Sequence, residues 1–246
     1  MNDVKAGTYL KRLFYPPHCL LCGQILDVRA AAAVCTHCRP ADYIPTNPRC
    51  PVCSRPVDLA GKKCPGCRAH HNVTVGRGTL LYRDAVQESI HAFKYEGMKE
   101  YASGYAKLMI EFDRDFWSGL GEDFALVPVP IHAKRRRERG YNQAEELARA
   151  LAEAFLQKTG MRIPVWPGLL RTKHTAPLRQ MGAQSRRRAL AGAFQIDSRA
   201  GSPPVQTLVL IDDIYTSGST IETCAEVLKK HFPNMKVFFW TAAIRE

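Results

Sequence analysis

Asp212 and Asp213 stand between two unlike stretches of sequence. Four apolar residues, Leu208 to Ile211, run into them, and a loop of small hydroxyl residues and glycine follows: Thr216, Ser217, Gly218, Ser219 and Thr220. A continuous apolar run reads as a buried parallel strand, which puts the acids at its carboxyl end, where open α/β sheets bind ligands. A helical pattern begins after the loop. Hydroxyls and unpaired backbone N–H groups at a helix N-terminus suit a phosphate. The carboxylates would repel that phosphate but can accept hydrogen bonds from sugar hydroxyls beside it. The ligand implied is a sugar phosphate held at both ends. A plain strand, turn and helix, capped by Ser219 or Thr220, would explain the acids or the loop alone. The unbroken order of strand, acid pair, glycine-hydroxyl loop and helix favours a binding site.

Two basic segments are candidates to complete it. The first, 127–143, follows another apolar run and carries Pro130, Ile131, His132, Lys134, Arg135, Arg136, Arg137 and Arg139. The second, 169–194, carries Arg171, Lys173, His174, Arg179 and Arg186 to Arg188 among glycines and few large apolar residues. Taken alone, such charge runs are equally at home on a solvated loop, and His174 as an ordinary loop histidine.

Eight of the nine cysteines form four pairs with two residues between the thiols: Cys19/Cys22, Cys35/Cys38, Cys50/Cys53 and Cys64/Cys67. One turn of backbone then aims both sulfurs of a pair at a tetrahedral ion, and Gly23 and Gly66 suit the tight knuckles. Eight thiolates fit two structural Zn²⁺ sites of four cysteines each. Sequential pairing, Cys19, Cys22, Cys35, Cys38 and then Cys50, Cys53, Cys64, Cys67, closes the smaller loops; a cross-braced arrangement would interleave them. His18, His37, His70 and His71 are surplus to four thiolates per ion. Cys224 falls within a helical pattern and reads as a packed thiol. With little hydrophobic periodicity in 1–72, the metal is expected to supply most of that segment's folding energy.

The chain of 246 residues has 35 Lys and Arg against 23 Asp and Glu, a formal charge of +12. That balance favours anionic partners, polyphosphate or nucleic acid, without choosing between them. No apolar run approaches a membrane span. The opening MNDVKAGTYLKRLFYPP lacks a signal-peptide core. A cytoplasmic location is expected, where a disulfide framework would be out of place.

The elements that must hold these residues follow from periodicity. Val75 to Tyr82 reads as a strand; Asp84 can cap a helix on Val86, Ile90 and Phe93; a second helix runs from about Tyr101 to Phe116. Phe124 to Pro130 reads as a strand. Asn142 to Gly160 is the clearest helix, with Asn142 as cap, Glu145 completing a capping box and Gly160 as stop. Lys236 to Ile244 is the last strand. Alternation of strands and helices predicts a parallel sheet with helices on both faces.

The 208–220 segment resembles the PRPP-binding motif of type I phosphoribosyltransferases. The cysteine pairs, the VPVP of 127–130 ahead of Arg139-Gly140-Tyr141-Asn142-Gln143, and the stretch from RTKHT to RRRALAGAF extend the likeness to the whole chain, which resembles the ComF/GntX family. The resemblance implies an α/β fold, a phosphoribosyltransferase-like parallel sheet flanked by helices (73–246), preceded by a Cys-rich double zinc-ribbon module (1–72). It implies that Asp212 and Asp213 form the catalytic pair, contacting the ribose 2′- and 3′-hydroxyls, and that Thr216 to Thr220 cradle the 5′-phosphate. Pro130, Ile131, His132 and Lys134 would line a pyrophosphate loop. Arg171 and Lys173 would lie on a hood over it, and His174 would be a candidate acid or base. Mg²⁺ would arrive with PRPP. Many type I loops have threonine where this chain has Ser217 and Ser219, which keeps a hydroxyl at each place. Tyr215 is bulkier than usual and is expected to line the pocket.

The family is linked to DNA uptake in natural transformation. That link implies single-stranded DNA on Arg135, Arg136, Arg137, Arg139 and the ribbons, and partners such as a DNA-uptake helicase or other competence proteins. An active phosphoribosyltransferase of nucleotide salvage, with an acceptor that no residue identifies, and a PRPP-sensing regulator without turnover are the other functions this pattern allows.

Overall fold

In this computed structural model residues 16–29, 32–69, 72–174, 185 and 189–246 are described. The apolar runs become four parallel strands: β1 (Gly76–Leu81), β2 (Phe124–Pro128), β5 (Thr207–Tyr215) and β6 (Lys236–Ile244), in the order β1-β6-β5-β2. Residues 164–166 run along the outer side of β2, where Leu126 N donates to Pro164 O and Trp166 N to Leu126 O, both at 2.9 Å. β3 (Leu169–Arg171) and β4 (Phe194–Ile196) form a separate antiparallel ribbon, an element the sequence pattern did not announce.

Because β5 and its neighbours are apolar on both sides, both faces must be covered. Helices α1 (Asp84–Tyr95), α2 (Tyr101–Phe112), α3 (Arg114–Ser118) and α5 (Gln143–Thr159) bury Ile90, Phe93, Met109, Leu147 and Phe155 against Val209, Ile211 and Trp240 on one face. Helix α6 (Ser219–His231) and the β3–β4 ribbon bury Cys224, Leu228 and Phe194 against Leu208, Leu210 and Phe239 on the other. A parallel sheet with helices on both faces is what the alternation predicted.

The cysteine pairs divide between those faces. Cys19, Leu20 and Leu26 join the first core, whereas Cys50, Val52, Cys53, Cys64 and Cys67 join the second. The second ribbon also covers the open edge of β1: Gly76 N donates to Val52 O at 2.7 Å and Gly78 N to Ser54 Oγ at 3.1 Å. An edge strand's free N–H groups are thereby satisfied.

Four local expectations change. The helix expected to run to Phe116 breaks at Asp113 (φ −108°, ψ 35°). There the buried carboxylate accepts from Thr79 Oγ1 at 2.6 Å and Trp240 Nε1 at 2.8 Å. Arg83, not Asp84, occupies the cap of α1. Asn142 does cap α5, accepting from Ala144 N at 3.1 Å, and Gly160 ends it with φ 78°. Glu145, however, is drawn to Arg136, which binds it through both guanidinium nitrogens at 2.7 and 2.9 Å. The basic run is itself a helix, α4 (Ala133–Arg139), rather than a loop.

Candidate functional site

β2 stops at Pro128, opposite Ile211, while β5 continues to Tyr215 alongside β6 alone. The end of β5 therefore borders a gap at the carboxyl edge of the sheet, the position at which such sheets take ligands. Asp212 and Asp213 lie within it.

Strand alternation sends the two acids to opposite faces. Asp213 follows Val209 and Ile211, and its Oδ2 lies 2.6 Å from Lys94 Nζ of α1, with both side chains largely buried. Asp212 follows Leu208 and Leu210 to the other side, where its charge acts on Arg171 and Cys224. Asp212 Oδ1 also accepts from Asp213 N at 2.9 Å. Burial pushes the Asp212 carboxyl up to about 8; the Asp213 charge adds to the rise and Lys94 opposes it.

The loop after β5 turns into α6 through Gly218, which has φ 76° at the helix cap. That left-handed conformation strains any residue with a Cβ. Neither Ser219 nor Thr220 caps the helix. Ser217 Oγ instead lies 3.0 Å from Ser219 Oγ and 3.4 Å from Ser219 N. Thr216 is exposed, Ser217 and Thr220 are half-buried, and Ser219 is buried.

Both basic segments reach this edge. His132 caps α4, its Nδ1 accepting from Lys134 N at 3.2 Å. The His132 and His174 rings stand 5.2 Å apart, edge to face. Desolvation lowers the His174 pKa, and Lys134, His132 and Arg135 act in the same direction. Burial and then Arg135 lower that of Arg171, with Cys224 and Asp212 opposing. Arg171 also lies over the Phe194 ring at 5.2 Å. Pro130 and Ile131, half-buried, link β2 to α4.

Not every expected cation faces the gap. Lys173 Nζ donates to Ala191 O at 2.9 Å and joins the chain leaving β3 to the chain entering β4. Arg139 donates to Gln143 Oε1 at 2.9 Å and Tyr95 OH at 3.1 Å, stacking over the Tyr95 ring. Lys134, Arg136 and Arg137 are exposed, Arg136 being held by Glu145. Arg179, Arg186, Arg187, Arg188, His70 and His71 lie outside the described residues.

The eight cysteines form two tetrads, Cys19/Cys22/Cys35/Cys38 and Cys50/Cys53/Cys64/Cys67, each with its four sulfurs within 4.8 Å of one another. Sequential pairing is thus the observed one, and no histidine joins either tetrad among the described residues. Backbone amides face the sulfurs: Cys35 N donates to Cys19 Sγ at 3.3 Å and Cys64 N to Cys50 Sγ at 3.4 Å. Four converging thiols with amide donors behind them fit a structural Zn²⁺.

Residues 10–68 match the double zinc ribbon domain family. Over 225 residues the chain is 27% identical to Competence protein F of Haemophilus influenzae, covering 88% of this chain and 93% of that protein. It is 28% identical over 206 residues to Competence protein ComFC of Bacillus subtilis, covering 79% and 77%. It is 26% identical over 201 residues to DNA utilization protein YhgH of Escherichia coli K12, covering 74% and 84%. Over most of its length the chain is similar to proteins named Competence protein F and Competence protein ComFC. The expected kinship is therefore met over most of the chain, and the matched domain supports structural zinc at both tetrads.

Sequence reasoning passed over Lys94. Its signal was there: Lys94 lies four residues after Ile90, at the margin of the apolar stripe of α1, where a lysine needs a buried counter-charge. Lys94 also lines a cavity of about 500 Å³ between the first ribbon and α1, with Leu20, Tyr82, His91 and Tyr101. Tyr215 corrects an expectation. Its side chain is buried, stacked on Phe239 with ring centroids 4.5 Å apart and with its hydroxyl 3.5 Å from Cys67 Sγ. No helix among the described residues is long and apolar enough to cross a membrane.

Proposed function

We propose that this chain binds PRPP beside the end of β5, beyond Pro128, and acts with single-stranded DNA in DNA uptake. The observation that carries the ligand is the convergence of His132, Lys134 and Arg135 with Arg171 and His174, from two segments far apart in the chain, with Asp212 acting on Arg171. Three cations, exposed Lys134 and half-buried Arg135 and Arg171, stand ready for a polyanion. The adjoining loop at the start of α6 offers hydroxyls and amides to a phosphate.

In this reading Asp212 and Asp213 take the ribose hydroxyls and Thr216 to Thr220 the 5′-phosphate. His132, Lys134 and Arg171 face the diphosphate. Mg²⁺ would enter with PRPP and offset the charge of the diphosphate and the acids. The DNA part rests on the relatives named as competence and DNA utilization proteins and on the exposed cations of α4. Partners of the competence machinery belong to the same proposal.

Titration calorimetry with PRPP and Mg²⁺ tests the ligand. Binding is expected for the protein as it stands, and Asp212→Asn with Asp213→Asn should abolish it at a temperature where circular dichroism shows the variant still folded, the unpaired Lys94 lowering its melting point. Unchanged affinity in the double variant would overturn the ribose assignment.

A further inference from the structure

The second zinc ribbon touches the end of β5 and the loop that follows it at three successive residues. Tyr215 OH lies 3.5 Å from Cys67 Sγ, a member of the second tetrad. An Arg55 guanidinium N–H donates to the Thr216 carbonyl. Gly66, inside the last knuckle, is so close to Ser217 that a Cβ there would lie 3.5 Å from the Ser217 carbonyl oxygen. Arg55 follows Cys53 by two residues, and Gly66 sits between Cys64 and Cys67, so both are placed by the knuckles of one tetrad. On its other side Tyr215 is fixed by the Phe239 ring and by Arg245 N, which donates to its carbonyl at 2.9 Å.

A loop at a helix N-terminus binds phosphate only if its amides are already aimed, since ordering them on binding would cost affinity. The geometry points to the second Cys₄ centre, acting through Arg55 and Tyr215, as the device that holds residues 215–218 in ligand-ready form. Arg55 and Tyr215 are then positioning residues: they touch the loop and the metal centre, not the ligand. The first tetrad has no such role. It packs on the opposite face of the sheet, with Leu20 and Leu26 against α1 and α2. The two ribbons thus divide their work, one building the core and the other building the core and setting the loop. The coupling itself is independent of the proposed ligand; only its consequence for affinity rests on PRPP as that ligand.

The test follows amide hydrogen exchange across 215–219 in the zinc-loaded protein, with zinc content measured alongside. Arg55→Ala should retain two zinc ions per chain yet exchange at least about tenfold faster over 215–219. Arg55→Lys, which can still donate to Thr216 O, should restore most of the protection. Tyr215→Phe, which keeps the ring on Phe239 and loses the hydroxyl, should give a smaller rise. Cys22→Ser, which damages the first tetrad at its exposed cysteine, should leave 215–219 as they were. PRPP affinity should fall about tenfold in Arg55→Ala and recover in Arg55→Lys. Unchanged exchange over 215–219 in Arg55→Ala would overturn the coupling, as would equal acceleration by Cys22→Ser. Absence of any PRPP heat in the unaltered protein would count against the ligand instead, and the exchange data would still decide the coupling.

Discussion

Lys94 Nζ and Asp213 Oδ2 meet at 2.6 Å in a largely buried contact that joins α1 to the end of β5. One acid of the pair is thereby neutralised from one face of the sheet, while Asp212 looks to the other. The two aspartates, adjacent in sequence, do not share an environment.

Removal of one partner from a buried pair leaves an uncompensated charge. Lys94→Met is expected to destabilise the fold by roughly 3 kcal/mol. Lys94→Met combined with Asp213→Asn should recover most of that loss, because no charge is then left unpaired. Chemical denaturation of the four proteins in a double-mutant cycle measures the coupling; additive effects would show that the contact contributes nothing.

The raised Asp212 carboxyl has a pH signature. A group whose folded-state pKa lies above its unfolded value favours folding in its protonated form. The corresponding stability is complete below the unfolded pKa, near 3.8, and is lost as pH rises through about 8. Asp212→Asn should flatten that dependence and melt above the unaltered protein at pH 9. Parallel melting curves for the two proteins across pH 5 to 9 would contradict it.

The metal centres predict a count and a consequence. Elemental analysis of reduced, native protein should give two zinc ions per chain. Cys64→Ser should lose one of them and loosen the second ribbon from β1, since structural zinc supplies folding energy directly. Near-zero zinc in native protein would contradict the ribbon assignment.

The cations of α4 are not equivalent. Lys134 and Arg137 are exposed, whereas Arg136 is clamped by Glu145 at 2.7 and 2.9 Å. Single-strand binding measured against salt should lose about 0.7 in logarithmic slope for Arg137→Ala, and less for Arg136→Ala. Equal losses at the two positions would remove the distinction drawn from Glu145.

What the sequence disclosed followed from local rules. The run Leu208–Ile211, the Asn142 cap, the Gly160 stop and the four cysteine spacings each act within a few residues, and each appears as read. Contacts made across the fold were hidden. Asp113 breaks its helix for Thr79 and Trp240, and Glu145 leaves its capping box for Arg136. Tyr215 turns from the expected pocket to Cys67. The site divided in the same way: the acids and hydroxyl loop were visible as a motif. Lys94 and Arg55 reach it from distant segments, and only the packed sheet brings them there.

A crystal structure of the protein soaked with PRPP and Mg²⁺ is the most direct measurement. The account predicts density for the 5′-phosphate at the start of α6, on the amides and hydroxyls of Thr216 to Thr220, with the ribose hydroxyls toward Asp212 and Asp213. Well-ordered PRPP bound elsewhere, or no ligand beside the end of β5 at saturating concentration, would contradict it.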